Sequence, residues 1–167
     1  MMSKCLLLVS LFISCCCVPT VLADEETSGL DRNQPIEITA QQLEVLQQQR
    51  QSIFTGDVVA KQGDMTLYAE KLIVVFQKDQ DQVERMDAIG GVRVIQLDRI
   101  ATAKKAIFHQ MEETLVLVGN AEVTQGKNII SGDEITLYLK ENRTLIKSSE
   151  KKRVKALIVP EKKQETQ

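Results

Sequence analysis

Three features of the 167-residue chain predict an all-β fold of two curved antiparallel sheets, jelly-roll or open-sandwich in style. Apolar and polar side chains alternate over short runs. Glycine-containing turn signals punctuate those runs. One unit of about 30 residues recurs, which means stacked β layers rather than a single hairpin. The recurrence is plainest between residues 54–76, FTGDVVAKQGDMTLYAEKLIVVF, and residues 117–139, LVGNAEVTQGKNIISGDEITLYL.

The chain opens on a targeting segment, residues 1–23. Lys4 supplies the positive charge, residues 5–18 (CLLLVSLFISCCCV) the apolar stretch, and Val21 and Ala23 the small residues before a cleavage site at Asp24. The apolar stretch is shorter than the roughly 20 residues a bilayer span needs. All four cysteines, Cys5, Cys15, Cys16 and Cys17, lie there, so the mature chain is expected to hold no disulfide and no thiolate metal site. Phe12 stands where a lipoprotein signal usually carries Leu, which argues against lipidation of Cys15. Residues 24–33 read as a flexible N-terminal segment, residues 34–160 as one β domain, and the charged residues 161–167 as a disordered tail.

Within the domain, alternation assigns an inward column to each unit, because successive strand side chains point to opposite faces. The first, a half-copy, runs Ile36, Ile38, Ala40, Leu43, Val45. The second runs Phe54, Gly56, Val58, Ala60, turns at Gln62-Gly63-Asp64, and continues Met65, Leu67, Ala69. There the parity breaks: Leu72, Val74 and Phe76 share the apolar side, so an extra residue at Glu70-Lys71 is expected to make a bulge or corner. The third is Gly90, Val92, Val94, Ala101, Ala103, Ala106, Phe108, and the fourth Leu117, Gly119, Ala121, Val123, Ile130, Gly132, Ile135, Leu137, Leu139. The corner position is small in every copy, at Ala40, Ala69, Ala103 and Gly132. Residues 41–51 alone suit a helix, and their Gln run is expected to cap a strand turn instead. Residues 154–159, VKALIV, form a last strand that stops at Pro160.

Several function classes are excluded by what the chain lacks. Residues 24–167 carry 20 Lys+Arg and 23 Asp+Glu, so no strong field draws in nucleic acid. Trp is absent and aromatics make up 4% of the chain, too few for base-stacking platforms. The one histidine, His109, falls on the outward side beside inward Phe108, and no carboxylates gather around it at metal-ligand spacing. Asp57, Asp64 and Glu70 belong to the turns of the repeat. The stretch from Gly119 to Lys127 fails as a phosphate loop: six residues separate its glycines instead of four, and Asn128 replaces Ser or Thr. Neither an enzyme nor a bound cofactor or metal is expected. Asn142-Arg143-Thr144 fits a glycosylation sequon, a pattern short enough to arise by chance.

Two readings remain for the inward face. Its small residues let two sheets close into a dry core, as in a structural β scaffold or filament, or they leave room for an apolar ligand between the sheets. The terminal strands add a further expectation. Ile36 and Ile38 at one end, and Val154, Ala156 and Ile158 at the other, edge the stack, and unpaired strand edges invite another chain. Lys155 and the cluster Lys151-Lys152-Arg153 are the charges that keep the last edge soluble, or it adds a copy head to tail.

The stretches QPIEITAQQLEV, FTGDVVAKQGDMTLYAEKL, LVGNAEVTQGKNIISGDEITLYL and KKRVKALIVP, in that order, resemble the LptA family of periplasmic lipopolysaccharide-transport proteins with the OstA-like domain. The resemblance covers residues 34–160. It implies an open β-jellyroll of two curved antiparallel sheets built from about four tandem strand repeats. It implies a periplasmic location and a groove for the acyl chains of lipopolysaccharide (lipid A). It also implies head-to-tail self-association into a bridge between an LptC-like inner-membrane protein and an LptD-like outer-membrane protein, with energy supplied elsewhere. The family's lipid-contacting positions match Ile36, Val94 and Phe108; at Val94 the family often has an aromatic. Taken with the inward columns, the expected lipid-binding face is Ile36, Ile38, Val45, Leu67, Leu72, Val74, Phe76, Val94, Phe108, Leu117, Ile135 and Leu137.

Overall fold

The computed structural model describes residues 34–78, 82–150 and 152–160. The targeting segment with its four cysteines, residues 24–33, Lys151 and the tail from residue 161 lie outside the described residues. Among the described residues ten strands follow in chain order: β1 (Glu37–Thr39), β2 (Gln42–Leu46), β3 (Gln51–Gln62), β4 (Met65–Phe76), β5 (Val83–Gln96), β6 (Arg99–His109), β7 (Thr114–Gln125), β8 (Asn128–Tyr138), β9 (Arg143–Lys147) and β10 (Lys155–Leu157). The Gln run is a single 3-10 turn, Gln47–Gln49, closed by Arg50 in the left-handed conformation, so it caps the β2–β3 hairpin as expected. Among the described residues no helix is long and apolar enough to cross a membrane.

All pairings are antiparallel, in one hydrogen-bonded sheet ordered β1-β3-β4-β5-β6-β7-β8-β10, with β2 also on β3 and β9 also on β8. The two expected sheets are thus two leaves of one sheet folded along its middle. Every pairing between the long strands shifts register at mid-length: at Thr55/Val58, Tyr68/Lys71, Ile89/Val92, Thr102/Lys105 and Val118/Ala121. Such bulges bend a strand and sharpen its twist. One leaf, here the upper, holds β2, residues 51–55, 71–76, 83–89, 105–109, 114–118 and 134–138, and β9. The lower holds β1, residues 58–62, 65–68, 92–96, 99–102, 121–125 and 128–132, and β10.

The corner chemistry refines the sequence reading. The parity break between Ala69 and Leu72 is present, since these residues pair with Val58 and Phe54. The extra residue, however, is on β3 and not at Glu70-Lys71. Gly56 and Asp57 both take positive φ (84° and 43°), and so do Gly90 and Gly91 on β5 and Gly119 and Asn120 on β7. The first position of each pair must be glycine. A Cβ on Gly56 would collide with the Gln41 side chain, on Gly90 with Glu70, and on Gly119 would come 3.0 Å from Lys104. The aligned glycines are the repeat's hinges, each crossed by a long side chain: Gln41 from the link between β1 and β2, Glu70 from β4 and Lys104 from β6. Gly132 is small for a different reason: its Cβ would meet Ile146 Cγ2 at 2.7 Å and the Lys147 carbonyl at 2.8 Å.

The core follows the fold line. Cross-strand register aligns Phe54, Leu72, Ala88, Ala106, Leu117, Ile135 and Ile146 in one row on the inner face of the upper leaf. Across the bend lie Val58, Ala69, Val92, Ala103 and Ala121. The largest fully buried side chains, Leu72, Leu117, Ile135, Val58 and Val92, all belong to these two apex rows. Their packing excludes water and supplies most of the burial.

Candidate functional site

Away from the apex the leaves part. The next row of the upper leaf is Val45, Ser52, Val74, Met86, Phe108, Leu115, Leu137 and Thr144. The facing row of the lower leaf is Ile38, Ala60, Leu67, Val94, Ala101, Val123, Ile130 and Ala156. Between them lies a cavity of about 270 Å³, lined from the upper leaf by Leu72, Met86, Ala88, Ala106, Phe108, Leu115 and Leu137. The lower leaf lines it with Ile36, Ala60, Met65, Leu67, Val94, Ala101 and Val123. Small residues in the lower row help leave the space: β6 has Ala101 in the lower leaf and Phe108 in the upper, and β3 contributes Ala60 to the lower lining. The slot is apolar because both lining rows are inward strand positions.

The expected lipid-binding residues divide accordingly. Ile36, Leu67, Leu72, Val94, Phe108 and Leu137 line the slot. Ile38 and Phe76 are partly buried against the core, while Val74, Leu117 and Ile135 are buried at or near the apex; none of these five lines the cavity. Val45 shares the inner register with Ser52 but stands 58% exposed on edge strand β2, away from the cavity. Met86 and Leu115 also line the slot and were missed, although Met86 lies two residues before inward Ala88 and Leu115 two before inward Leu117. His109 is on the outer face, in register with Arg85 and Thr114, as alternation places it. Among the described residues no group of three or more His, Cys, Asp or Glu could hold a metal ion.

The rim is polar and uneven. The outermost inner row of the lower leaf reads Gln62, Met65, Gln96, Arg99, Gln125, Asn128. Gln62 donates to the Gln34 carbonyl at 3.0 Å, which ties down the chain entering β1. Gln96 donates to Asp64 at 3.3 Å. At the upper rim, Arg143 donates from Nε to Glu141 at 2.8 Å and lies 3.7 Å over the Tyr138 ring. The hydrogen bond to Glu141 raises its already high pKa, so it stays charged throughout the physiological range.

Both ends of the sheet are open edges. β1 and β2 form one, β9 and β10 the other. Val154, Leu157 and Ile158 are 43%, 55% and 73% exposed on or beside β10, and Ala156 pairs with Ile130. Asp133 holds this second edge in place, accepting from the Ser149 backbone at 2.9 Å and from Lys152 Nζ at 2.8 Å. The Lys152 hydrogen bond, then that of Ser149, holds its pKa down at about 2. Asn128 accepts from the Val159 amide at 2.9 Å and fastens the far end of the segment.

Known proteins are similar to this chain in sequence and in fold. The family described as LptA/(LptD N-terminal domain) LPS transport protein matches residues 37–143. The lipopolysaccharide export system protein LptA of Escherichia coli K12 is 29% identical over 154 residues, covering 81% of this chain and 76% of its own. The LptA of Haemophilus influenzae is 28% identical, covering 87% and 90%. The crystal structure of LptH, the LptA-homologous periplasmic component of the lipopolysaccharide transport device of Pseudomonas aeruginosa, superposes with a TM-score of 0.70. That superposition covers 78% of this chain and 99% of LptH at 21% identity, a likeness of fold. With the family matched across the apex, the slot and most of the rim, the chain belongs to the LptA/(LptD N-terminal domain) LPS transport proteins, a family of carriers and not of enzymes.

Proposed function

We propose that this protein is a periplasmic lipopolysaccharide carrier. It shields the acyl chains of lipid A between its leaves and passes the lipid from the inner to the outer membrane as one link of a bridge. The observation that carries this reading is the slot itself: an apolar opening between two leaves of one sheet, flanked at both ends by exposed strand edges. Moving an acyl chain from water into an apolar lining is worth about 0.8 kcal/mol per CH₂, so a chain of about 14 carbons represents on the order of 10 kcal/mol. A lipid with several such chains cannot cross water at a useful rate. A series of slots set end to end would let it slide without leaving an apolar lining, and sliding needs no catalytic group.

The edges supply the joints. β10 at one end and β1 at the other present free backbone groups to an added strand. The partners in this reading are further copies head to tail, an LptC-like protein on the inner-membrane side and an LptD-like protein on the outer. Residues 1–23 then serve as the secretory signal that delivers the chain to the periplasm. The test is photocrosslinking in cells that make lipopolysaccharide. A crosslinker at Phe108, Leu137 or Val94 should capture it, and one at outer-face Ile107 or Val116 should not; the reverse pattern would exclude the slot as the carrier surface.

A further inference from the structure

The inner face holds one charge in an otherwise uncharged register. Among the described residues paired across the inner rows of both leaves, Arg99 alone is ionised; its row is otherwise Met65 and the four amides Gln62, Gln96, Gln125 and Asn128. Arg99 lines the slot one row outside Val94, Ala101 and Val123, and it has no ion-pair partner among the described residues. The other charged residues that line the slot, Lys61 and Arg143, are also cations, and no carboxylate lines it among the described residues, although the chain as a whole carries a net charge of −2. A solvated strand end has no reason to sort its charges in this way. The upper leaf differs: its inner side at the slot is Phe108, Leu115 and Leu137, ending in Thr144, and the cation at its rim, Arg143, is already paired with Glu141.

We propose that this lip is a headgroup site, in which Arg99 binds a phosphate monoester carried on an apolar tail. The inference rests on the carrier reading above and adds which part of the lipid is read and by which residue. A guanidinium presents a planar fork of donors that matches phosphate oxygens two at a time. Beside it, the side-chain oxygen of Gln96, whose amide nitrogen is held by Asp64, can still accept from a sugar hydroxyl. The order of rows sets the orientation: acyl chains lie on the Val94–Ala101–Val123 row and against Phe108, and the phosphate stands at the mouth. Arg99 is a specificity residue here, since tail burial proceeds without it.

The test measures binding of the purified protein to detergent-dispersed lipid A with two, one or no phosphate groups and the same acyl chains. Wild-type protein should bind the bisphosphorylated form about tenfold or more tightly than the phosphate-free form, the scale of one charge-assisted contact at a wet rim. Arg99→Gln should lose most of that preference while binding the phosphate-free form as wild type does, which also shows that the variant is folded. Arg99→Lys should keep part of the preference, because it keeps the charge but not the fork. Equal wild-type affinity for all three lipids would overturn the headgroup site and leave the carrier reading standing. Failure to bind any of them would overturn both. Full displacement of the lipid by inorganic phosphate would show that the arginine reads a free anion and would overturn the assignment to a headgroup.

Discussion

The apex and the mouth of the folded sheet are built from the same inward columns, yet they do opposite things. At the apex, Leu117, Ala121 and Ile135 are 0% exposed and small residues let the leaves meet. Two residues further along the same strands, Leu115, Val123 and Leu137 are only partly buried and face open space. Hydrophobicity therefore does not distinguish fold from function in this molecule. Distance from the bend does.

The largest expected effect breaks the apex. Leu117→Ala leaves a cavity with no room to collapse and should cost about 3–5 kcal/mol, read from urea unfolding. A loss below about 1 kcal/mol would mean that the apex is not the core. Gly119→Ala should cost about 2 kcal/mol, because φ is 84° and the new methyl would press on Lys104, whereas Gly126→Ala, with open space around it, should cost less. Equal losses at the two glycines would put the strain in φ alone. At the mouth, Phe108→Asp should lower lipid affinity by tenfold or more and stability by only about 1 kcal/mol, since the new carboxylate can reach solvent at the slot but repels an apolar tail. A global unfolding in place of a binding defect would move Phe108 to the apex class.

The next two predictions concern the rim. Three hairpins of the lower leaf turn at equivalent positions, with positive φ at Gly63, Leu97 and Gly126. Leu97 is the exception in kind and 66% exposed, so Leu97→Gly should stabilise by about 0.5–1 kcal/mol in thermal melts. The smallest effect is local. The pKa of Asp133 is about 2 when folded against 3.8 for the free group, so its clamp is fully present above pH 4 and is lost as pH falls toward 2. Amide exchange in β10 should quicken over that window while β7 stays protected. Asp133→Asn should give quick β10 exchange already at pH 7, and unchanged exchange there would remove the clamp.

Much of this was legible in the sequence. Alternation identified inward columns along most of the long strands, and aligning Gly56, Gly90 and Gly119 set the register of the repeat, although their left-handed backbones make them the hinges and not members of the inward column. Two things were not legible. Which strand carries the extra corner residue depends on pairing register, a relation between strands that no single segment encodes; hence the bulge expected at Glu70-Lys71 lies opposite, at Gly56-Asp57. The division of inward residues into core and slot depends on how far the leaves diverge, so Leu117 and Ile135 looked the same as Leu137. Arg99 was passed over for a similar reason. It opens a strand next to the Leu97-Asp98 turn; alternation from Ala101 puts it on the inward side, but only the completed register shows the uncharged row it stands in.

The open edges have a consequence for how such molecules could join. β1 and β2 are two short strands that together span one long neighbour, β3, just as β10 and β9 together span β8. A partner docking on either end therefore meets both leaves at once. It can set the angle between them, so each junction in a row of these proteins would also adjust how wide the next slot stands.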